Sequence, residues 1–303
     1  MRSIPTLKVL SVVVDKPGVR LDRYVAEKYP QLSRTQAQKL IAEGNITVND
    51  HVAKAGLKLH VGDRVNISLP PPPPSPLSPE AIPLNIIDED NDLLVIDKPA
   101  GLAIHPAPGH PGHTLVNAIL SYLPDLPDID GSLRPGIVHR LDKDASGVMV
   151  VAKNSLAQAN LINQFKARSV VKAYLALVKG HLTPEEGVIE APIGRDPRHR
   201  KRMAVVAEGK EARTNYHVVK YIGDYTLVEV RPETGRTHQI RVHLSAIGYP
   251  VVGDPVYGVK SPHLSRPFLH ACRLGFKLPS TGEYREFTSD LPPALEQALK
   301  DIA

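Results

Sequence analysis

A chain of 303 residues, 42% hydrophobic and 23% charged, has the balance of an ordinary globular protein and is long enough for two domains with substantial cores. It shows no apolar run near the roughly 18 residues of a membrane span and no signal-peptide core. Its one cysteine, Cys272, permits neither an intrachain disulfide nor a cysteine metal cluster, so the cytoplasm is the expected compartment. The formal net charge is +5, and residues 1–69 hold 11 Lys/Arg against 6 Asp/Glu while the remaining 234 hold 26 of each, so the whole excess lies in the first quarter, as suits a module that meets a polyanion.

Residues 19–25 begin a helical pattern with Leu21, Tyr24 and Val25 on one face. A second helix opens at Ser33, a good N-cap, with Gln36 as the partner of a capping box. Ala37, Leu40 and Ile41 form its apolar face and Gly44 stops it, leaving Arg34, Gln38 and Lys39 to project from the other side. Short strands are expected over 46–48 and 64–68. Five consecutive prolines, Pro70 to Pro74, then favour extended polyproline II and mark the domain boundary. The expected division is a small domain over 1–69, a linker over 70–83 and a larger domain over 84–303.

After the linker, residues 93–96 read as a strand leading into a turn at 97–101. Residues 139–147, His-Arg-Leu-Asp-Lys-Asp-Ala-Ser-Gly, set one carboxylate, Asp142, between Arg140 and a turn-prone Ser146-Gly147. The apolar run 148–152 that follows reads as a buried strand. A carboxylate at the edge of such a strand is fixed and partly desolvated, as a catalytic acid, base or nucleophile needs to be. A helix is expected over 155–167 with Ser155 and Gln158 as a second capping box, then strands over 173–178 and 225–230. Residues 195–202 are the densest basic cluster of this otherwise neutral region, and Pro197 makes them a loop suited to gripping phosphates. Residues 237–247 look helical, with Ile240, Leu244 and Ile247 buried and Gly248 ending the element. Strands dominate without βαβα regularity, so the fold class is α+β: a mainly antiparallel mixed sheet in the larger domain and a small α/β domain at the N-terminus.

Several signals are set aside. His105, His110 and His113 match no zinc spacing, so no metal is expected. His238 and His243 lie five apart, off a common helical face, and structural hydrogen bonds are the expectation for both. Cys272 reads as a small buried hydrophobe. No glycine-rich phosphate loop is present, so no cofactor is expected.

The pattern at 139–147 resembles the signature of the large-subunit ribosomal RNA pseudouridine synthases. Three further blocks are similar to that family's motifs, in its order: Lys98-Pro99-Ala100-Gly101-Leu102-Ala103-Ile104-His105-Pro106; Lys172 to Gly180; and Thr234 to Leu244, running on to Gly253-Asp254. Residues 18–69 resemble the RNA-binding module named after ribosomal protein S-four. One departure is visible, Ala145 standing where the family usually shows Thr. The resemblance implies an isomerase that turns uridines of large-subunit ribosomal RNA into pseudouridine, with RNA as its partner, no cofactor and no obligate protein partner. It makes Asp142 the catalytic residue, as nucleophile or base, Arg241 the ion-pair partner that keeps it ionised, and Tyr174 the face on which the extruded uracil stacks, its hydroxyl a candidate to move a ring proton. Arg140 contacts phosphate, fills the space the flipped base vacates, or pairs with Asp142 or Asp144. Arg34, Lys39, Arg198, Arg200, Lys201, Arg202 and Arg236 are the other expected RNA contacts. Three alternatives stay open: a transfer RNA substrate, a non-catalytic RNA-binding ribosome-assembly protein, and a hydrolase using Asp142 with His139.

Overall fold

The computed structural model describes residues 8–29, 32–69, 77–106, 112–126, 134–199 and 202–302. The proline run, His110, Arg200 and Lys201 lie outside the described residues. The chain falls into two units, the first holding the described residues up to Leu69 and the second nearly all of those from Leu77 on.

In the first unit β1 (Lys8–Val13), α1 (Leu21–Lys28), α2 (Arg34–Ala42), β2 (Ile46–Val48), β3 (His51–Val52) and β4 (Arg64–Leu69) follow in order. The strands form an antiparallel sheet ordered β1-β4-β2-β3. The capping box at Ser33 is reciprocal: the Gln36 N–H donates to Ser33 Oγ (3.3 Å) and the Ser33 N–H to Gln36 Oε1 (2.6 Å). Leu21, Val25, Ala37 and Ile41 then pack on Ile46, Val65 and Ile67. Arg34 does not simply project. Its Nε donates to Asp22 at 3.0 Å, alongside Gln38 (2.7 Å) and a two-bond fork from Arg20 (3.1 and 3.2 Å). Asp22 is fully buried, and these donors hold its carboxyl well below the ordinary range. Lys39 stays in solvent, 3.9 Å from Glu43.

The second unit contains β5 (Ile86–Glu89), β6 (Leu93–Lys98), α3 (Leu115–Tyr122), β7 (Ser146–Ala152), α4 (Ser155–Lys166), β8 (Val171–Lys179), β9 (Glu186–Glu190), β10 (Ile193–Arg195), β11 (Met203–Val205), β12 (Arg213–Ile222), β13 (Tyr225–Pro232), α5 (Gln239–Ala246), β14 (Leu269–Lys277), β15 (Tyr284–Thr288) and α6 (Pro293–Ile302). One sheet runs β5-β6-β7-β14-β8-β13-β12-β9, with β15 also paired to β14, and β10 and β11 form a separate hairpin. Every pair is antiparallel except β7 with β14, which is parallel.

The middle of the sheet is covered on both faces, which is why β7 reads as an unbroken apolar run instead of an alternation. From β7, Val148, Val150 and Ala152 pack with Leu161 of α4, whereas Met149 and Val151 pack with Leu115 and Ile119 of α3. Farther along, Ala176, Val178, Val228 and Val230 meet Ile240 and Leu244 of α5, and Leu177 and Leu227 meet Leu295 and Ala298 of α6. The parallel join needs Gly147. At φ +119° a Cβ there would run into the backbone of Ala271 on β14.

Three local expectations are corrected. Ser146 and Gly147 open β7 and are not a turn, because β14 pairs with them through His270 and Ala271. The second capping box is replaced by Asn154, whose side chain accepts the Ala157 N–H at 2.9 Å. The helix expected over 237–247 is α5 and starts at Gln239, since His238 adopts a left-handed φ of 56°, and Ile247 is 37% exposed, beyond the helix end and off the core face.

Candidate active site

Asp142 lies in the loop that feeds β7, and a buried and a half-buried cation hold that loop. Lys98, fully buried at the end of β6, donates to the carbonyls of Pro99 (2.7 Å), Leu102 (2.9 Å) and Lys143 (3.1 Å). Burial pushes its amine down to about 8, against the pull of Asp144 and Asp142. Arg266 donates to the Asp144 carbonyl and to Ser146 Oγ, both at 3.1 Å. The loop is thus fixed through the carbonyls of the two residues that follow its carboxylate. Ala145 packs into the apolar cluster of Ala176, Ile240 and Leu269.

The carboxylate meets α5. Arg241 Nη1 donates to Asp142 Oδ2 at 3.0 Å, while its Nε and Nη2 fork onto Asp254 at 2.7 and 2.8 Å. Exposure falls along the chain of charges, from 18% for the Asp142 side chain through 7% for Arg241 to 0% for Asp254. Burial alone would raise the Asp254 carboxyl, but the Arg241 contacts and the Val256 and Tyr257 N–H groups hold it below the ordinary carboxylate value. Burial likewise opposes the Arg241 charge, and the two carboxylates more than restore it. The Tyr257 ring covers the guanidinium, 5.1 Å from its centroid.

In front of Asp142 opens a cleft of about 410 Å³. Tyr174 of β8 forms part of its wall, wedged between the apolar clusters of the two halves of the sheet. Burial and the Asp142 charge push its phenol up, so it stays protonated at neutral pH. Lys172 stands two residues before it and therefore on the same strand face; burial and Arg168 bring its amine down to about 8. Arg140, Lys166, Arg168, Lys172, Arg236 and Arg241 line the cleft against only Asp142 and Glu233, so it favours an anion. His139 is spoken for. It stacks on Phe165 at 4.7 Å, its Nε2 accepts the Val150 N–H at 3.1 Å, and burial drives its pKa down to about 3. It makes no hydrogen bond to Asp142 among the described residues, which removes the geometric basis of a His–Asp hydrolase.

A family model described as RNA pseudouridylate synthase matches residues 92–246, the stretch that carries Asp142, Tyr174 and Arg241. An uncharacterised RNA pseudouridine synthase of Chloroflexus aurantiacus is 50% identical over 297 residues, covering 97% of this chain and 93% of that protein. The chain belongs to the RNA pseudouridine synthase family. A protein named ribosomal large subunit pseudouridine synthase D, from Nitrosomonas europaea, is 44% identical over 97% of this chain and 88% of its own length. The solved structure of human RNA pseudouridylate synthase domain containing 1 superposes with a TM-score of 0.58 at 31% identity, covering 73% of this chain and 96% of that one. An S4 domain model matches residues 19–65, so the first unit of the synthase is an RNA-binding domain of that type.

The structure brings some of the expected residues of the synthase together and leaves others apart. Asp142, Tyr174, Arg241, Arg140 and Arg236 all line the one cleft. Arg140 is exposed and forms no ion pair with Asp142 or Asp144. Arg236 is tied by its Nε to the Glu211 carbonyl at 2.9 Å. Arg198 and Arg202 are exposed on the β10–β11 hairpin, where Asp196 accepts the Arg198 N–H (2.8 Å) and Arg202 Nε (2.8 Å); Arg202 first, then the Arg198 N–H, brings the Asp196 carboxyl down to about 2. Arg34 and Lys39 belong to the other unit. Cys272 is half-buried, its Sγ 3.4 Å from the Ala173 carbonyl, with a thiol that burial pushes up to about 11. Among the described residues no three His, Cys, Asp or Glu side chains group as metal ligands, and no helix is long and apolar enough to cross a membrane. His113 pairs with Glu80 at 3.4 Å.

Sequence reasoning missed Asp254, Lys98 and Lys172 as parts of the site. The spacing of Lys172 and Tyr174 on one strand was a usable signal for the second of these cations. Asp254 was marked only as the end of the third block; its contact with Arg241 comes through the fold of the segment after α5.

Proposed function

We propose that this synthase isomerises uridines of large-subunit ribosomal RNA, with Asp142 as the reacting carboxylate. The carrying observation is the Asp142–Arg241–Asp254 network set behind a cationic cleft with Tyr174 in its wall. Making pseudouridine moves the ribose anomeric carbon from ring N1 to ring C5, with no net gain of electrons, water or phosphate. The catalyst therefore needs a carboxylate that attacks the sugar or takes a proton from it, and that stays ionised when the cleft fills and water leaves. Arg241 keeps it so. A pair at about 4 Å is worth on the order of 4 kcal/mol at an effective dielectric of ~20, before desolvation is subtracted.

The target atoms are out of reach in a stacked helix, so the nucleotide must be extruded. Tyr174 offers the flat face, worth about 1–3 kcal/mol per stacked base. Arg140, exposed at the cleft and without an ion pair to its neighbouring carboxylates, is placed to take a phosphate or the position the base leaves. Arg198 and Arg202 on the hairpin, with Arg34 and Lys39 on the S4-type unit, supply further phosphate contacts. The relatives named for the large ribosomal subunit, 40–44% identical to this chain, support the choice of substrate.

Pseudouridine mapping of total RNA from cells lacking the protein, restored with wild type or Asp142→Asn, tests the reading. Large-subunit sites should vanish and return with wild type alone. Loss confined to transfer RNA, or restoration by the Asn protein, would overturn it.

A further inference from the structure

The mechanism above leaves His238 unused, although it lines the cleft and sits where the backbone is strained. A non-glycine residue at φ 56° is held there only when its surroundings demand it, and such positions cluster at functional sites. Its neighbour in sequence, His243, is a useful contrast. Both His243 nitrogens are occupied at 2.9 Å, by Thr214 Oγ1 and the Ala191 carbonyl, and the ring is fully buried. His243 is structural. His238 has one nitrogen engaged, Nδ1, at 2.9 Å from the Tyr257 hydroxyl, and Nε2 makes no hydrogen bond to a described residue.

The Tyr257 oxygen accepts the Met203 N–H at 2.8 Å and lies 2.9 Å from His238 Nδ1. With the phenol donating to Nδ1, a neutral imidazole carries its hydrogen on Nε2, the tautomer on which the proposal rests. Burial keeps the ring neutral against the pull of the Asp142 carboxylate, and the amino end of α5 disfavours a cation at the same place. His238 lines the cleft and Tyr257 does not, which leaves Nε2, without a hydrogen bond to a described residue, for a ligand in the cleft.

Resting on the reading of Asp142 as the reacting carboxylate, we propose that His238 donates its Nε2–H to the O2 carbonyl of the extruded uracil, with Tyr257 as the positioning residue that fixes the donor. As the C1′–N1 bond breaks, its electron pair passes to N1 and spreads onto O2 and O4. C5 then bonds to C1′, the C5 hydrogen leaves as a proton and N1 gains one. Asp142 is regenerated, whether it bonded to the sugar and left or took a sugar proton and returned it. O2 is the carbonyl beside N1 and the anomeric carbon on which Asp142 acts, and His238 lines the same cleft as Asp142. A neutral, preorganised donor at an atom that gains charge in the transition state stabilises it without pairing with the carboxylate, as a neutral histidine at a helix amino end does elsewhere.

The test uses full-length protein and transcribed large-subunit ribosomal RNA tritiated at uridine C5, measuring release of label alongside RNA affinity. His238→Asn keeps a residue that accepts the left-handed backbone but ends short of the Nε2 position; His238→Gln returns an amide donor near that position. Expected are a fall of about 100-fold in kcat for His238→Asn, with Kd for RNA within about threefold, and recovery of about tenfold by His238→Gln. Tyr257→Phe, which keeps the ring over Arg241, should lower kcat about tenfold without moving Kd. An Asn protein with wild-type kcat, a loss lying wholly in Kd, or a Gln protein no faster than Asn overturns the proposal. Asp142→Asn, run in parallel, separates the two readings: if it still turns over, the carboxylate assignment fails first. If it is dead while His238→Asn is fully active, only the histidine inference fails.

Discussion

Asp254→Asn is the most informative perturbation of the charge chain. The substitution is isosteric, and an oxygen retained at the Oδ1 position still accepts from Val256, Tyr257 and Arg241 Nη2. The amide nitrogen then faces Arg241 Nε, a donor against a donor where a 2.7 Å bond had been, and the charge is gone. Removing one partner from a buried ion pair costs about 3–5 kcal/mol, because the other charge stays behind uncompensated. A domain of this size loses roughly 2–4 °C per kcal/mol, so Tm should fall on the order of 10 °C. Asp142→Asn removes the more exposed partner and leaves the fork to Asp254 intact, so its loss of Tm should be far smaller although its turnover vanishes. The pH dependence adds a second signature. The folded Asp254 carboxyl lies below its ordinary value, so its stabilisation is fully present above the unfolded pKa, about 4, and is lost as pH falls through the folded one. The wild type should therefore lose more stability on acidification than Asp254→Asn does. Scanning calorimetry at neutral and acid pH, with turnover assayed on the same samples, measures all of this. A Tm within about 2 °C of wild type, or an Asp142→Asn protein less stable than Asp254→Asn, would refute the reasoning.

Tyr174→Phe should keep RNA affinity, since the stacking face remains, and Tyr174→Ala should weaken it by roughly 5- to 150-fold, the equivalent of about 1–3 kcal/mol; filter binding decides, and equal affinities would remove the stacking role. Lys172 is cationic below about 8 and loses its proton as pH rises through that value, so RNA affinity should decline there in wild type and stay flat in Lys172→Met, read as Kd at a series of pH values. Arg198→Ala should flatten the dependence of log Kd on log salt by about one phosphate contact, with kcat at saturating RNA unchanged; an unaltered slope would take the hairpin off the RNA. Gly147→Ala should fail to fold or lose several kcal/mol, because the added carbon meets the Ala271 backbone at the parallel join, and a soluble variant of wild-type Tm would contradict that account.

The sequence by itself determined the local grammar and the chemistry-bearing residues. Ser33 and Gln36 capped a helix as their spacing required, and residues 148–152 announced a strand buried on both faces by lacking any polar alternation. The blocks around Asp142, Tyr174 and Arg241 were recognisable as motifs, though nothing in their spacing said that a loop, a strand and a helix would meet at one cleft. Tertiary structure decided what local signals could not hold. Gly147 read as a turn because glycine marks turns, yet it serves a parallel strand contact with a partner 124 positions away, at Ala271. His238 and His243 looked equivalent on a helix, and only the left-handed start at His238 and the arrival of Tyr257 from beyond the helix set them apart. Asp254 became the deepest member of the charge chain for the same reason. A buried carboxylate is tolerable only beside donors that the fold delivers from distant positions, and no window of sequence contains them.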